Sequence, residues 1–466
     1  MVCPSLVLLA SALLVASSVV PLERELDSPT PVAREPEHPL HLAKRDAAGR
    51  KTRHLRPFYE NTKRDITPPD VGQVATFPAT GIPQPTRGIY GGIRTGGTNE
   101  EIDRQNPDYV TPPLTDNGII PNLKWSFSLS HTRLLNGGWI REQTITDLPP
   151  SKDVSAAELR IAPNAYRELH WHRVGEWGIV LGGSGRITAL DDEGRTYISD
   201  IKGPQNGTDP DTFTFPANFP HGIQALDDGL DLLLIFSDGD FDATGTTFML
   251  SDWLVHTPIE IVAQNLGLSI SDLKKLPSPD PYIFKSTVPP PQEGHADEQA
   301  KESPNGNVPN PYVFSLSQQE KVEAPGGWVK IQDSTRNFEA SWAATAYVYV
   351  EPNGLRELHW HSQDEWLYII SGHGRATAFA AGSAARTFDL QTGDTAVFPI
   401  AYGHYIKNLS PTEPLIFIEV FKAEKYVDFS ATQWLALTPS QTVADLLNIT
   451  VAQADGLIKT KQILIA

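Results

Sequence analysis

The feature that most constrains this 466-residue chain is one short motif that occurs twice. The run Arg-Glu-Leu-His-Trp-His occupies residues 167–172 and again residues 356–361, and a Glu-Trp pair follows each copy at the same spacing. All of these positions are offset by 189 residues. Such identity marks an internal duplication, so we expect two structurally equivalent units.

Each copy contains the residues of a metal site. In a strand, both imidazoles of a His-x-His sequence project from one face, about 6.6 Å apart by the strand rise. A turn can return the Glu that follows, and a later His can close the set. Three imidazoles and one carboxylate suit Mn, Fe, Co, Ni or Zn, and they leave positions for water, substrate or dioxygen. We therefore predict two catalytic metal ions per chain, held by His170, His172, Glu176 and His221, and by His359, His361, Glu365 and His404.

The only cysteine, Cys3, lies beside the apolar run of residues 6–20. We interpret residues 1–20 as a secretory signal peptide, although no Lys or Arg precedes the run, and a membrane anchor is the alternative. Without Cys3 the mature chain has no thiol, which excludes disulfides, thiolate metal sites, Fe–S clusters and cysteine nucleophiles. We expect a protein secreted to the exterior or the cell wall, with no membrane contact once the signal is removed.

Residues 21–120 form a segment rich in proline and charge. Dibasic pairs at residues 44–45 and 63–64 suit a processing protease, so part of the segment is a candidate propeptide. A tail that stays unprocessed is the alternative. The formal net charge of the chain is −18, and such an acidic protein is a poor nucleic-acid binder.

The rest of the sequence predicts an all-β fold. Short alternating or β-branched runs are separated by Gly, Pro, Asn and Asp, as in antiparallel sandwiches and barrels. Gly183 and Gly372 fit tight turns between strands, and Pro258 and Pro439 are placed to begin helices after each β region. We predict a first domain at residues 121–276, a linker at residues 277–311 and a second domain at residues 312–466.

The motifs resemble those of a known family. The pattern HxHxxxExxxxxxG followed by PxxxxH is similar to the cupin signature, and the doubled RELHWH with the later DWLVHTP and QWLALTP runs resembles the bicupin oxalate decarboxylases of the fungal secreted type. The resemblance covers about residues 120–460. It implies two tandem cupin (jelly-roll) barrels with short helices after each, manganese as the metal, dioxygen as cocatalyst, conversion of oxalate to formate and carbon dioxide, and homo-oligomers.

Some positions depart from the cupin pattern. Asn164 and Asn353 replace its first Gly, Pro210 replaces the Gly that opens the second motif of the first domain, and Ala225 replaces the Asn that Asn408 supplies in the second. None of these changes removes a ligand, so we expect only local turn geometry to differ.

An arginine precedes the first histidine of each set by three residues. In a regular strand Arg167 and Arg356 would face away from the ligands, but a bulge or the start of the strand would turn them inward. There each could hold a substrate carboxylate by bidentate hydrogen bonds. A surface salt bridge is the alternative, and the family resemblance favours substrate binding.

The tryptophans next to the ligands receive a structural interpretation. Trp171 and Trp360 point to the strand face opposite the histidines, and we predict that they fill the core. For Trp177 and Trp366 we prefer packing to a place in the pocket.

Decarboxylation to formate needs a general acid. Glu419 lies in an apolar run at residues 417–421, where an unpaired acid would be costly, and we predict that it is this acid, with a structural hydrogen-bonding role as the alternative. The resemblance implies a second possible source in a lid after the first domain. The corresponding lid segment, residues 238–248, contains no Glu, so we expect formate mainly from the second site and leakage toward hydrogen peroxide at the first.

Three functions of different class therefore remain. The first is oxalate decarboxylase. The second is oxalate oxidase, which yields carbon dioxide and hydrogen peroxide. The third is a non-enzymatic storage bicupin, which would not need two intact ligand sets.

Overall fold

The structure is a computed structural model that describes residues 99–110, 112–113, 115–205, 207–288 and 291–466. The predicted signal peptide and the dibasic pairs lie outside these residues. Within them, no helix is both long enough and apolar enough to cross a bilayer.

The described residues form short helices and many strands. The helices are α1 (Glu100–Gln105), α2 (Pro107–Val110), α3 (Leu250–Val255), α4 (Ile259–Leu266), α5 (Ile270–Leu273), α6 (Ala296–Gln299), α7 (Ala431–Ala436), α8 (Ser440–Leu447) and α9 (Val451–Asp455). The strands before residue 300 are β1 (Lys124–Ser126), β2 (Arg133–Leu135), β3 (Gly138–Gln143), β4 (Ser155–Ile161), β5 (Ala165–His172), β6 (Glu176–Leu190), β7 (Thr196–Lys202), β8 (Asp211–Phe215), β9 (His221–Phe236), β10 (Thr247–Met249) and β11 (Ile283–Lys285). Those after it are β12 (Val313–Ser315), β13 (Val322–Ala324), β14 (Gly327–Gln332), β15 (Ala344–Val350), β16 (Leu355–His361), β17 (Glu365–Ser371), β18 (His373–Ala380), β19 (Ala384–Gln391), β20 (Asp394–Phe398), β21 (Gly403–Asn408), β22 (Leu415–Phe421), β23 (Asp428–Ser430) and β24 (Leu464–Ile465).

The strands assemble into two β domains with separate apolar cores. The first contains an eleven-stranded sheet and the second a seven-stranded and a six-stranded sheet, and their long ladders are antiparallel. Buried residues such as Val180 and Leu232 fill the first core, and Val348 and Leu367 belong to the second. The prediction of two mostly β units is confirmed.

The two domains exchange short strands. β1 pairs with β20 of the second domain, and β12 pairs with β8 of the first. β11, which lies inside the expected linker of residues 277–311, pairs with β5. The strand pairing therefore crosses the boundaries that we drew at residues 121 and 312.

A third apolar layer holds the domains together. Trp177 and Trp366 are fully buried in it, and the indole Nε1 of Trp366 donates to Oε1 of Gln143 at 2.9 Å. Both tryptophans thus pack between the domains.

Trp171 and Trp360 are not core fillers, so that prediction was wrong. Both are partly exposed, and Trp171 stacks on Phe248 with ring centroids 5.4 Å apart. Trp360 stacks on Phe429 in the same way at 5.6 Å. Phe248 and Phe429 belong to strands that pair edge to edge with β5 and β16. On the face opposite the ligands each ring also meets a tryptophan of a short helix edge-on, Trp253 or Trp434, and these two tryptophans are themselves exposed.

The predicted helix starts are confirmed. Pro258 is the N-cap of α4, and Pro439 is the N-cap of α8. Gly267 is the C-cap of α4 and Asn448 is the C-cap of α8, and both are in the left-handed conformation that commonly terminates helices.

Gly183 does not form the turn between strands that we predicted. It lies inside the continuous strand β6, at a shift in the register with β9, with φ +73°. A Cβ there would collide with the carbonyl oxygen of Gly229. Gly372, in contrast, separates β17 from β18. The first domain therefore uses its glycine for a bend and for close approach of two backbones.

Gly183→Ala should lower the melting temperature more than Gly382→Ala does. Both glycines have positive φ, which costs an alanine roughly 1–2 kcal/mol, but a Cβ at Gly382 meets open space. The difference between the two variants therefore isolates the backbone collision. Equal melting temperatures would contradict this assignment.

Candidate metal centres

The first predicted ligand set converges at one end of the first domain. His170 and His172 project from the same face of β5, and β6 and β9 begin at Glu176 and His221. His170 pairs directly with His221 across the ladder. One ligand atom from each of the four side chains lies within 4.8 Å of the others, and all four are buried.

The second set repeats this geometry. His359 and His361 lie on β16, Glu365 begins β17, and His404 lies on β21 opposite His359. The four ligand atoms again lie within 4.8 Å of one another in buried side chains. The structure thus brings all eight predicted ligands together in two groups.

Backbone carbonyls orient the first and the last imidazole of each centre, and at the second centre a carbonyl also orients the middle one, His361. Nδ1 of His170 donates to the carbonyl oxygen of Glu168 at 2.6 Å, and Nδ1 of His221 donates to that of Phe219 at 2.9 Å. The second centre has the same two bonds. Because a carbonyl only accepts, the proton is on Nδ1, and the lone pair of Nε2 faces the centre.

Buried atoms at both centres fit a bound cation. Nε2 of His221 faces Oε2 of Glu176 at 3.2 Å, and Nε2 of His404 faces Oε2 of Glu365 at 2.8 Å. Two lone pairs at this separation repel unless a positive charge lies between them. Oε1 of Glu176 and of Glu365 also lacks a hydrogen-bond partner in the described part of the chain. Coordination would satisfy all of these atoms.

The first histidine of each set is held neutral, as a metal ligand must be. Burial lowers the pKa of His170 well below its usual value, and the charge of Arg167 lowers it further. Burial and Arg356 act on the pKa of His359 in the same way. Both arginines therefore lie near the metal centres.

A β-bulge turns each arginine inward, as the sequence analysis proposed. The register shifts between Arg167 and His170 in β5, and between Arg356 and His359 in β16. The exposed fractions of Arg167 and Arg356 are 3% and 0%. These values exclude the alternative of surface salt bridges.

At the second centre Arg356 joins a buried network with Glu419. Nε of Arg356 donates to Oε1 of Glu419 at 3.1 Å, and Nη2 donates to Oδ2 of Asp428 at 3.0 Å. The hydroxyl of Tyr426 donates to Oε2 of Glu419 at 2.8 Å. The sequence motifs indicated Arg356 and Glu419 but gave no signal for Tyr426 and Asp428.

Glu419 is held in a form that can carry a proton. Its complete burial raises its pKa; Arg356 opposes this effect, and the carboxylate of Glu365 adds to it. Burial also raises the pKa of Tyr426, so its hydroxyl stays protonated. Glu419 is therefore a candidate general acid, and the effect of the ligand Glu365 on its pKa shows that it lies near the second centre.

The first centre lacks this network. Glu419 pairs with Ala346, and the residue that pairs with the corresponding Ala157 is Leu234. Tyr426 is the fifth residue after Phe421, and Phe241 holds the same place after Phe236. Apolar side chains thus replace both the acid and its hydroxyl partner.

Arg167 accordingly has more freedom than Arg356. Its guanidinium lies 3.7 Å from the centroid of the Tyr282 ring, and its Nη1 contacts the carbonyl oxygen of Tyr282 at 3.4 Å. Within the described residues its Nε and Nη2 make no hydrogen bond, which leaves these donors for a substrate carboxylate. Tyr282 lies in the expected linker and was missed by the sequence analysis.

Comparison with known proteins places the chain in a family. The Cupin family model matches residues 129–274 and 314–455. Oxalate decarboxylase of Bacillus subtilis is 44% identical over 82% of this chain and 96% of its own length. A probable oxalate decarboxylase of Arthroderma benhamiae is 42% identical over 84% of this chain and 95% of its own. The chain belongs to the bicupin oxalate decarboxylase family.

Solved structures agree with this placement. The Bacillus subtilis enzyme at pH 4.6 superposes with a TM-score of 0.77 at 43% identity, covering 82% of this bicupin and 98% of that chain. Another structure of that enzyme addresses its Mn(II) centres. The predicted fold, two tandem cupin domains with short helices, is confirmed.

Purified protein should contain about two metal ions per chain, because this bicupin has two complete ligand sets. His221→Ala and His404→Ala should each reduce the content to about one. The control is His256→Ala, whose side chain is 75% exposed on the first helical extension. Elemental analysis that finds fewer than about one ion in the unmodified chain would refute the assignment of the ligands.

Proposed function

We propose that this bicupin is an oxalate decarboxylase that uses manganese and dioxygen to convert oxalate to formate and carbon dioxide. The observation that carries the proposal is the buried acid Glu419, held by Arg356 and Tyr426 beside a centre of three imidazoles and one carboxylate. A storage protein would need neither this acid nor two ligand sets.

The proposed ions are one manganese per centre, bound by the eight His and Glu side chains described above. An oxygen and nitrogen donor set without thiolate suits manganese, and the Bacillus subtilis relative has Mn(II) centres. Bound there, the metal would bind a substrate carboxylate and supply one-electron chemistry with dioxygen. The role of dioxygen rests on the family resemblance.

The protein groups supply charge and a proton. Arg356 is fully buried and already pairs with Glu419 and Asp428, so it fixes the acid beside the second centre. At the first centre, the donors of Arg167 that make no hydrogen bond within the described residues would bind a carboxylate of oxalate. When carbon dioxide leaves, the remaining carbon must gain a hydrogen, and Glu419 donates that proton. The hydroxyl of Tyr426 then donates a hydrogen bond to the resulting Glu419 carboxylate and stabilises it.

Oxalate oxidase remains the second candidate because of the first centre. The lid segment contains no Glu, and Leu234 occupies the place of Glu419. If the carbon fragment is not protonated, it would leave as a second carbon dioxide and give its electron to dioxygen, so that dioxygen gains two electrons and two protons overall and becomes hydrogen peroxide.

We also propose that the protein is secreted and forms homo-oligomers. Secretion is supported by the apolar run at residues 6–20. Self-association is supported by the helical extensions, where Trp253 and Trp434 are 60% and 64% exposed.

Incubation of manganese-loaded protein with oxalate at acid pH tests the function directly, if formate and hydrogen peroxide are both measured. We expect formate and carbon dioxide in equal amounts, with peroxide as a minor product. Peroxide as the main product would establish the oxidase instead, and an absence of oxalate consumption would refute both.

Glu419→Gln should reduce formate production at the second centre, because it preserves the side-chain shape but removes the proton. Loss of a general acid typically slows a reaction about 10²- to 10⁴-fold. To isolate this centre, the change is made in the His221→Ala protein. Glu413→Gln, an exposed residue just before β22, is the matched control. Unchanged formate release in Glu419→Gln would remove Glu419 from the mechanism.

The second centre should lose activity as the pH rises. Glu419 acts only when protonated, so formate release falls as the pH passes its raised pKa. The hydrogen bond from Tyr426 lowers that pKa, so Tyr426→Phe should shift the descending limb to higher pH. A shift to lower pH in the Tyr426→Phe profile, measured in the His221→Ala protein, would contradict this coupling.

A further inference from the structure

In each domain, one row of directly paired residues crosses four neighbouring strands of the sheet. The two rows are equivalent, but the glutamate occupies a different strand in each. Residues that pair directly across an antiparallel sheet lie on the same face. The row that crosses the second domain runs through β14, β15, β22 and β17, and the row of the first runs through β3, β4, β9 and β6. Their members are Ile331, Ala346, Glu419 and Leu367 in the second domain, and Glu142, Ala157, Leu234 and Gly178 in the first.

Glu142 therefore faces the interior of the first domain. Ile140, two residues before it, belongs to the buried core, whereas Gln143, next to it, faces the interdomain layer and accepts from Trp366. Strands lie about 4.8 Å apart, so Glu142 sits roughly 10 Å from Leu234 across two strands. Each domain therefore has one glutamate in this row, on β22 in the second domain and on β3 in the first.

Glu142 shares a hydrogen bond with Asp242 of the lid segment. That segment is anchored at the metal centre by its neighbours. Phe241 stacks on Phe236 with ring centroids 3.9 Å apart, and Oγ1 of Thr247 contacts Nδ1 of His172 at 2.9 Å. The carboxyl pair is thus fixed between β3 and the segment that contacts a ligand histidine.

Two arginines face the same pair. Arg133 and Arg167 lie against the Tyr282 ring, with guanidinium carbons 4.3 and 3.7 Å from its centroid. Both arginines act electrostatically on Glu142. Arg167 acts electrostatically on both the ligand His170 and Glu142, so it lies near the metal centre and near the carboxyl pair.

We propose that Glu142, hydrogen-bonded to Asp242, is the general acid of the first centre, an inference that rests on the proposed decarboxylase function. The C–C bond of oxalate breaks and carbon dioxide leaves; the remaining carboxylate carbon gains a C–H bond with the proton of Glu142. Glu142 regains a proton when the next hydrogen oxalate ion binds. The net change is hydrogen oxalate to formate and carbon dioxide, with no net oxidation.

The electrostatics of the pair agree with this role. The pKa of Glu142 is raised to about 7, first by burial and then by Asp242, while Arg133 and Arg167 oppose the increase. Burial also raises the pKa of Asp242, and a hydrogen bond that the Asp242 carboxyl donates to Asp240 contributes. At acid pH the pair therefore keeps a proton beside Arg167. The absence of a lid Glu, which led us to expect leakage at the first centre, does not leave that centre without an acid.

The test uses the Glu419→Gln protein, in which the second acid is absent and both ligand sets are intact. Adding Glu142→Gln should reduce the remaining formate release about 10²-fold or more, and it should raise the share of hydrogen peroxide. Glu142→Asp, which keeps the carboxyl, should restore part of the formate. Glu323→Gln, an exposed change on strand β13, is the control and should leave the rate unchanged.

The pH profile and infrared spectrum give two further readouts. In the Glu419→Gln protein, formate release should fall as the pH rises through about 7, the pKa of Glu142, and this descending limb should disappear in Glu142→Gln. Difference infrared spectra without substrate should show a carboxylic acid band that is lost over the same pH range. Glu142→Gln should lack that band.

The proposal is overturned if formate release in the Glu419→Gln protein survives Glu142→Gln while about two metal ions remain bound. It is also overturned if Asp242→Asn abolishes formate and Glu142→Gln does not, since the lid Asp would then be the donor. Failure of the unmodified protein to consume oxalate is a different result, because it refutes the decarboxylase function itself. The infrared band is measured without turnover and tests the protonated Glu142 in either case.

Discussion

A buried carboxylate that faces imidazole lone pairs is the interaction on which both domains depend. Carbonyl groups hold the proton of His170 and of His221 on Nδ1, so their Nε2 atoms face the same point as Glu176. Without a cation this arrangement combines lone-pair repulsion with a buried unpaired charge. A metal ion removes both costs, and the ladders that join β5, β6 and β9 bring its ligands to one point.

The duplication preserved this centre and changed its acid. In the second domain Glu419 and Tyr426 form a closed network with Arg356, whose donors are almost all engaged by the protein. In the first domain Leu234 and Phe241 take those places, and Arg167, two of whose donors have no partner within the described residues, lies near the carboxyl pair of Glu142 and Asp242. The two metal centres thus share one ligand set but differ in the charged and apolar groups that surround it.

The sequence predicts the features that depend on local spacing. The ligands follow from His-x-His and the repeat, and the helices follow from Pro258 and Pro439. The strand exchange of β1 and β12, the outward position of Trp171 and the inward position of Glu142 depend on which strands become neighbours. That information is absent from local patterns. Tyr426 could have been found by comparing the two repeats, because Phe241 holds the equivalent position.

Crystals of the manganese-loaded protein, with anomalous scattering measured at the manganese absorption edge, test the central claim most directly. We predict two anomalous peaks per chain, each at bonding distance from three Nε2 atoms and one Glu oxygen of a ligand set. A peak at only one set, or peaks away from both sets, would contradict the account of a duplicated metal centre.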